Sequence, residues 1–273
     1  MTNNTKVSEV WDNFRQQYDV THTDAILAIE CDSCDSDYGT TSWTTRAEAN
    51  RVRELLGLTP TTRLLEIGAG AGWPGLYLSR ISGCSVVLTD LPHAGLNTAA
   101  GRAVADGRAD ACLTVAASGT ALPFSDGAFD AISHSDVLCC LPEKKIALQA
   151  CRNAVQPEGK MVFSVISVTP GLSGPDHEAA VENGPPYIET DGTYAALLEQ
   201  TDWRIEVCYD MTGEFVETNK RVVEAQNAHK QKLLDQFGEE DTNARIKKMV
   251  TRLAIREAGL HRRELYVVTP NYA

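Results

Sequence analysis

The fold is decided by the stretch Leu64-Leu65-Glu66-Ile67-Gly68-Ala69-Gly70-Ala71-Gly72, in which an apolar run passes directly into three alternate glycines. The run at 63–67 is typical of a buried strand, and the glycines predict a tight turn into a helix. Glycine has no Cβ atom and tolerates positive φ, so backbone N–H groups in this turn can approach a ligand closely. A tight turn with no ligand explains the same glycines, so the turn alone is weak support for a binding site.

Strand and helix patterns alternate along the chain on both sides of this turn. Apolar runs are separated by segments with helical spacing, as in a parallel sheet whose two faces are covered by helices. We therefore predict an α/β fold with a Rossmann-like, doubly wound, seven-stranded and mostly parallel sheet, helices on both faces and a helical cap. Ligands of such sheets bind beyond the carboxyl ends of the strands. The predicted strands are residues 63–67, 85–89, 112–116, 129–133, 160–168, 204–210 and 260–269.

The pattern divides the chain into four parts. Residues 1–45 precede the core as an amino-terminal lid segment, residues 46–212 form the core, residues 213–258 form a helical cap insertion, and residues 259–273 carry the last core strand. An insertion before the last strand is placed to enclose an acceptor pocket, although a solvated hairpin that serves only stability has the same pattern. The helices of the insertion are predicted at 214–236 and 239–257.

The composition excludes several classes of partner. Lys and Arg together number 25 against 37 acidic residues, which gives a formal charge of −12 and no basic field to neutralise a nucleic-acid backbone. The amino terminus has no secretory pattern and no stretch of about 18 apolar residues occurs, so we expect a cytoplasmic protein with no membrane partner. The eight cysteines are expected to be reduced, and Cys31 and Cys34 lack the second pair that a metal site needs, so no metal is predicted.

Two features distinguish the ligand of the glycine turn from a dinucleotide. A dinucleotide turn has a further glycine at the position of Trp73, and Pro74 after it has no N–H for a pyrophosphate. Asp90 ends the next strand, where a carboxylate can accept hydrogen bonds from a ribose, and Leu91 can lie against an adenine. Ribose without pyrophosphate indicates an adenosyl group. A helix cap is the alternative role of Asp90.

Glu66 stands inside an otherwise apolar strand end. An unpaired buried carboxylate is costly, so its side chain is expected either to face the cavity or to hydrogen-bond the loop. A cofactor contact and a purely structural partner are both compatible with its position.

The chain carries five segments in a fixed order: LLEIGAGAG (64–72), VVLTD (86–90), ALPFSDGAFD (121–130), DVLCCLP (136–142) and QPEGKMVFS (156–164). Together they resemble the successive motifs of class I S-adenosylmethionine-dependent methyltransferases of the small-molecule type. The resemblance implies S-adenosylmethionine as cofactor and S-adenosylhomocysteine as product. It also implies that the glycine turn wraps the methionine part, that the acid ending the second strand holds the ribose, and that adenine lies near residues 118–120.

One residue of this chain departs from the family pattern, and the resemblance also implies a role for the amino-terminal segment. The family usually has an acid at the place of Ser118, where it contacts the adenine amino group, and serine accepts that hydrogen bond more weakly. In similar methyltransferases the amino-terminal segment folds over the cofactor, so Tyr38 and Trp43 are candidate lid residues, with simple packing as the alternative. The predicted cofactor-binding residues are Tyr38, Trp43, Glu66, Gly68, Ala69, Gly70, Gly72, Asp90, Leu91, Ser118, Gly119, Thr120 and Ser133.

Candidate catalytic residues follow the fourth strand, where the methyl group is expected to point. His134, with an ordinary pKa of about 6.5, can deprotonate a hydroxyl, thiol or ammonium at neutral pH, and Asp136 lies beside it. Alternatively, His134 only shapes the pocket by donating to a main-chain carbonyl, and Asp136 starts a helix. A loop at 169–192, rich in glycine, proline and acid, supplies the candidate substrate-binding residues His177, Tyr187 and Glu189, with ordinary solvation as the alternative.

The leading function is S-adenosylmethionine-dependent methyl transfer to a small-molecule acceptor, by a monomer or homodimer. Methyl transfer from a sulfonium is an in-line displacement, so the protein mainly supplies alignment, desolvation and, where needed, a base. Oxygen, nitrogen, sulfur and carbon acceptors all stay open. A non-catalytic cofactor-binding protein and a nicotinamide-dependent oxidoreductase are the alternatives.

Overall fold

A computed structural model describes residues 3–20, 23–36, 38 and 42–271. Within these ranges a single sheet has seven strands in the order β3-β2-β1-β4-β5-β7-β6. The first five strands are parallel, whereas β7 runs antiparallel to both β5 and β6. The predicted fold class is confirmed. The strands are Arg63–Ile67 (β1), Ser85–Asp90 (β2), Cys112–Ala116 (β3), Phe129–Ser135 (β4), Val155–Val168 (β5), Trp203–Asp210 (β6) and His261–Pro270 (β7).

Helices cover both faces of the sheet. Further helices lie at the amino terminus (α1 and α2) and in the insertion before β7 (α9 and α10). In the described part of the chain, no helix has both the length and the apolar character needed to cross a membrane. The helices are Asn3–Val20 (α1), Asp24–Cys34 (α2), Arg46–Leu56 (α3), Gly75–Ser82 (α4), His93–Ala105 (α5), Lys144–Ala154 (α6), Gly174–Asn183 (α7), Tyr194–Glu199 (α8), Thr212–Ala228 (α9) and Lys230–Glu257 (α10).

The two faces of β1 carry separate apolar clusters. Leu65 and Ile67 belong to one buried cluster and Leu64 to the other, as the two-residue repeat of a strand requires. The α3 helix that precedes β1 has the capping chemistry its sequence predicts. The Thr45 side chain accepts a hydrogen bond from the Glu48 N–H, and Gly57 ends the helix at φ 64°. Local signals and burial therefore agree at the strand that leads into the glycine turn.

The sequence predicts a loop at 169–192, but the structure has the helix α7 within this segment. Pro175 lies in the first turn of this helix, where a proline costs no hydrogen bond. Only Ala180 of α7 is buried, and its carbonyl accepts a hydrogen bond from His261 Nε2 at 2.8 Å. A helix that buries one residue leaves no apolar periodicity in the sequence, which explains why the pattern missed it.

The insertion has the predicted helix break and one further break. Gly238 (φ 77°, ψ 175°) has a non-helical backbone that interrupts α10 between the two predicted helices, and the further break falls at His229, between α9 and α10. A third apolar cluster joins the insertion to the amino-terminal segment, because Ala25 and Ile29 of α2 pack with Ala225 and Leu233. The amino-terminal helices and the insertion thus lie against each other.

Candidate functional site

A cavity of about 670 Å³ lies at the carboxyl ends of the parallel strands. Its wall includes residues at or just beyond the ends of β1 (68–71), β2 (90–92), β3 (117–120) and β4 (135–137), and Ile166 near the end of β5. This is the edge at which open α/β sheets bind ligands. Its volume falls within the range of about 300–1,000 Å³ that is usual for small-molecule sites.

The glycine turn has the geometry that the sequence predicts. Gly68 and Gly70 line the cavity with φ of 67° and 50°, values that residues with side chains rarely adopt. A Cβ atom at Gly68 would meet Val137, and one at Gly70 would lie 2.9 Å from the Tyr18 ring. Gly72 also has positive φ but lies outside the lining. A Cβ atom at Gly72 would meet Leu76 and Ala99, so the structure gives this glycine, predicted as a cofactor contact, a packing position instead.

Asp90 lies in the cavity wall and anchors the turn. Its Oδ2 accepts hydrogen bonds from the Gly70 N–H at 2.8 Å and from the Tyr18 hydroxyl at 3.1 Å. Its Oδ1 accepts from the Leu91 N–H at 2.7 Å. Burial raises the pKa of Asp90, and the three donors act in the opposite direction. The carboxylate therefore stands within reach of a ligand while it holds the glycine turn in place.

The α1 helix belongs to the segment predicted as a lid, and three of its aromatic residues, which the sequence analysis does not name, line this part of the cavity. Trp11, Phe14 and Tyr18 line the cavity, and the ring centroids of Phe14 and Tyr18 lie 6.2 Å apart. Their spacing of three and four residues puts them on one helix face, a signal that was present in the sequence.

The two predicted lid aromatics have different positions. Trp43 lines the cavity and packs edge-on against Phe215 at 5.7 Å between centroids. Tyr38 does not line it. Its buried ring packs edge-on against Trp73 and its hydroxyl bonds the Asp106 carboxylate, so it has the packing role. The neighbouring residues Asp37, Gly39, Thr40 and Thr41 of the predicted loop lie outside the described residues.

The residues predicted to hold adenine form one side of the cavity. Ser118, Gly119 and Thr120 all line it. The hydroxyl oxygens of Ser118 and Thr120 lie 2.7 Å apart, and the Thr120 N–H donates to Ser118 Oγ at 3.2 Å. The Ser118 hydroxyl is therefore already engaged within its own turn.

Glu66 and Ser133 lie outside the cavity, and their prediction as cofactor contacts is corrected. They are paired across β1 and β4, and the Ser133 hydroxyl lies 3.4 Å from Glu66 Oε2. Glu66 also accepts a hydrogen bond from the Gly75 N–H at the start of α4, where a Cβ atom would collide with the carboxylate. Burial raises the pKa of Glu66 to about 8. This acid ties two core elements together.

The structure places His134 away from the cavity wall, where the sequence predicts a base. The fourth strand extends to Ser135, two residues further than predicted, so the face on which His134 lies is fixed by the strand. Its ring stacks on Phe163 at 4.7 Å between centroids, is 3% exposed and lies outside the cavity wall. Neither ring nitrogen has a hydrogen-bond partner among the described residues, and burial lowers the pKa of His134 to about 3.

Asp136 lines the cavity but is committed to a buried ion pair. Arg263 lies between two carboxylates, with its Nε 3.1 Å from Asp136 Oδ1 and its Nη1 2.7 Å from Glu48 Oε2. Its Nη2 also donates to Ser164 Oγ at 2.9 Å. Burial opposes the charge of Arg263, yet the two carboxylates raise its pKa. Asp136 therefore forms a structural ion pair at the cavity wall, and its catalytic role stays a prediction.

Of the three predicted substrate contacts, only Tyr187 lines the cavity. Its carbonyl accepts a hydrogen bond from Lys144 Nζ at 2.7 Å, and burial raises the pKa of its hydroxyl. His177 and Glu189 lie 3.6 Å apart as a solvated pair outside the wall. Lys248, Arg252 and Arg256 of α10 also line the cavity, and the sequence argument missed them because a charged helix indicates a solvated face.

A model of the methyltransferase domain family matches residues 65–163 of this chain. A phosphoethanolamine N-methyltransferase of Triticum aestivum is 24% identical over 216 residues, which are 79% of this chain and 42% of that protein. The chain spans less than half the length of this relative and of similar phosphoethanolamine N-methyltransferases from Zea mays and Arabidopsis thaliana.

Two solved structures share the fold at low sequence identity. Phosphoethanolamine N-methyltransferase 2 of Haemonchus contortus, in complex with phosphomonomethylethanolamine and S-adenosylhomocysteine, has a TM-score of 0.78 and 17% identity over 94% of this chain and 60% of that one. The (4+2) cyclase SpnF has a TM-score of 0.69 and 17% identity over 94% of this chain and 97% of that one. Because one of these proteins is a methyltransferase and the other a cyclase, the fold by itself does not specify the chemistry.

Residues 65–163 carry a methyltransferase domain, in agreement with the resemblance to S-adenosylmethionine-dependent methyltransferases, and the sheet has the predicted Rossmann-like fold.

Proposed function

We propose that this chain binds S-adenosylmethionine in the cavity and transfers its methyl group to a small-molecule acceptor. The observation that carries the proposal is the convergence of the glycine turn and the Asp90 carboxylate on one cavity at the carboxyl ends of the strands. The match of residues 65–163 to the methyltransferase domain supports the same activity. S-Adenosylhomocysteine, bound in the Haemonchus contortus structure, is the expected product.

The cofactor roles follow from the wall of the cavity. The turn at 68–70 holds the methionine part, Asp90 holds the ribose, and Leu91 with residues 118–120 holds the adenine. The Tyr18 hydroxyl occupies one lone pair of Asp90 Oδ2, so a ribose hydroxyl binds beside it or takes its place. The α1 helix acts as the lid over this half, and α10 acts as the cap over the other half.

The reaction relies on alignment and exclusion of water. The carbon of a sulfonium is already activated, and the side chains first expected to supply a base are buried or ion-paired. The acceptor therefore brings its own nucleophilic lone pair, and the atom methylated is left open. The formal charge of −12 favours a metabolite over a nucleic acid as acceptor. A cytoplasmic location and a monomeric or homodimeric state stay predictions.

A non-catalytic role, or a reaction other than methyl transfer, is the second candidate. The cyclase SpnF shares the fold, and Ser118 stands where the family usually has an acid. Release of S-adenosylhomocysteine with any acceptor in a screened pool would rule out the non-catalytic role.

Calorimetry with S-adenosylhomocysteine and with NAD tests the cofactor assignment. We expect S-adenosylhomocysteine to bind, and Asp90→Asn and Asp90→Ala to weaken it by about 10- to 100-fold, because a hydrogen bond to a charged group contributes about 1.5–3 kcal/mol. Asp110→Ala, at an exposed acid before β3, is the matched control. Melting curves confirm that each variant is folded. Unchanged affinity in both Asp90 variants, or binding of NAD alone, would contradict the proposal.

A further inference from the structure

One face of α10 presents a row of three cations to the cavity. Lys248, Arg252 and Arg256 follow each other at intervals of four residues, which places them on one side of the helix, and all three line the cavity. Lys248 is exposed, Arg252 is half-buried and Arg256 is 3% exposed. The row therefore runs from the mouth of the cavity inward.

The charges of this row are not balanced by nearby acids. Although acids outnumber bases in the chain, neither Lys248 nor Arg252 has a carboxylate within ion-pair distance among the described residues. The pKa of Lys248 is lowered most by the charge of Arg252, and less by burial and by the charge of Arg245. Burial lowers the pKa of Arg252. Such repulsion between like charges is costly unless something at the site compensates for it.

Arg256 forms the buried end of the row and is held rigidly. Its guanidinium lies 4.8 Å from the ring centroid of Trp43 and 4.5 Å from that of Phe215, and its Nη1 donates to Asn219 Oδ1. Its Nε finds no acceptor among the described residues. Burial and then Arg252 lower its pKa to about 9, while Asp136 acts in the opposite direction. A buried donor without a partner is an unmet demand for an acceptor.

The row lies on the acceptor side of the cavity. His261, shortly after α10, pairs with Val168 at the carboxyl end of β5. Residues 118–120 follow β3 at the edge of the sheet, and β2, β1 and β4 separate β3 from β5. The cations are therefore remote from the adenine position. Asp136, the wall acid whose charge acts on Arg256, already pairs with Arg263.

We infer that the α10 cation row binds an anionic group of the methyl acceptor, a phosphate monoester or a carboxylate, and thereby selects acidic small molecules. This inference rests on the proposed methyl transfer, because it names the acceptor class of the same cavity. Fixed guanidinium groups match the planar or forked oxygens of such anions, and a cation at the mouth attracts them from solution. The group transferred and its chemistry are those of the proposed reaction.

Titration of small anions tests the row directly. Inorganic phosphate and acetate are titrated by calorimetry into the full chain, with and without saturating S-adenosylhomocysteine. We expect phosphate or acetate to bind the loaded protein, and Arg252→Gln and Lys248→Gln to weaken binding by about tenfold or more each, as loss of a charge-assisted contact implies. The stronger of the two anions identifies the source as phosphate or carboxylate. Lys247→Gln, an exposed neighbour outside the cavity wall, is the matched control.

Melting temperatures separate a binding role from a structural one. Arg252→Gln relieves repulsion, so without ligand it should melt at the same temperature as the wild type or higher, whereas a structural cation would lower it. The inference is overturned if all variants bind the anions equally, if Arg252→Gln melts lower, or if S-adenosylhomocysteine itself displaces the anion. The last result would assign the row to the cofactor carboxylate. Failure of S-adenosylhomocysteine to bind, with the anion result intact, would refute only the proposed function.

Discussion

Replacement of Glu66 by glutamine should make the stability of this protein less dependent on pH. The side chain is 2% exposed, and burial raises its pKa from 4.5 to about 8 against the hydrogen bonds of the Gly75 N–H and the Ser133 hydroxyl. A glutamine is almost the same size, stays neutral at every pH and keeps an oxygen that can accept from Gly75. The Glu66→Gln variant therefore removes a titration and leaves the packing in place.

The direction and size of the effect follow from proton linkage. Between pH 4.5 and about 8 the folded carboxyl keeps a proton that the unfolded chain releases. The free energy of unfolding therefore falls as pH rises, by about 1.4 kcal/mol per pH unit, or about 3 kcal/mol by pH 7. His134 acts in the opposite direction below its unfolded pKa of 6.5, because its folded pKa is about 3. The effect of Glu66 is clearest between pH 6.5 and 8.

Urea unfolding at several pH values between 6.5 and 8 measures this effect. Over that window we expect the wild type to lose about 2 kcal/mol that Glu66→Gln keeps. Glu158→Gln, an exposed acid in β5, makes the same chemical change on the surface and should behave like the wild type. Equal pH slopes in the wild type and Glu66→Gln would refute the reasoning, because they would mean that the buried carboxyl does not titrate in this range.

Three other substitutions probe the turn, the ion-pair network and the predicted base. Arg263→Met leaves Glu48 and Asp136 buried without their cation. The free energy of unfolding, measured by chemical denaturation, should therefore fall by about 3–5 kcal/mol, and a fall of less than about 1 kcal/mol would disprove the pairing. His134→Phe should form S-adenosylhomocysteine at a rate within about tenfold of the wild type, whereas loss of a true general base lowers the rate about 100-fold or more. Gly68→Ala places a residue with a side chain at φ 67°, which costs about 1–3 kcal/mol. Calorimetry should therefore show weakened S-adenosylhomocysteine binding, and unchanged affinity would argue against the turn as the cofactor site.

The sequence predicts the sheet well because its signals are local. Each core strand is an apolar run bounded by turn residues, and the capping at Thr45 and Gly57 is a short-range effect. The exceptions have weak local signals. The α7 helix buries only Ala180, and no glycine or proline marks the break at His229 between α9 and α10.

The candidate site is only partly predictable for a different reason. The turn at 68–70 and Asp90 belong to short motifs that fix their own geometry, so their positions in the cavity wall agree with expectation. Consecutive strand residues point to opposite faces of a sheet, and both faces of this sheet are covered by helices. Glu66, Ser133 and His134 lie within strands and are therefore buried whichever face they occupy.

What the sequence by itself determined is the alternating α/β pattern, the glycine turn and the acid at the end of the second strand, since these depend on neighbours a few residues apart. Only the tertiary structure decided that Tyr18 reaches Asp90 and that Arg256 enters the cavity beside Trp43. Those contacts join residues far apart in the chain. They exist because α1 folds over the carboxyl edge of the sheet and because the antiparallel strand β7 brings the end of α10 to the same edge.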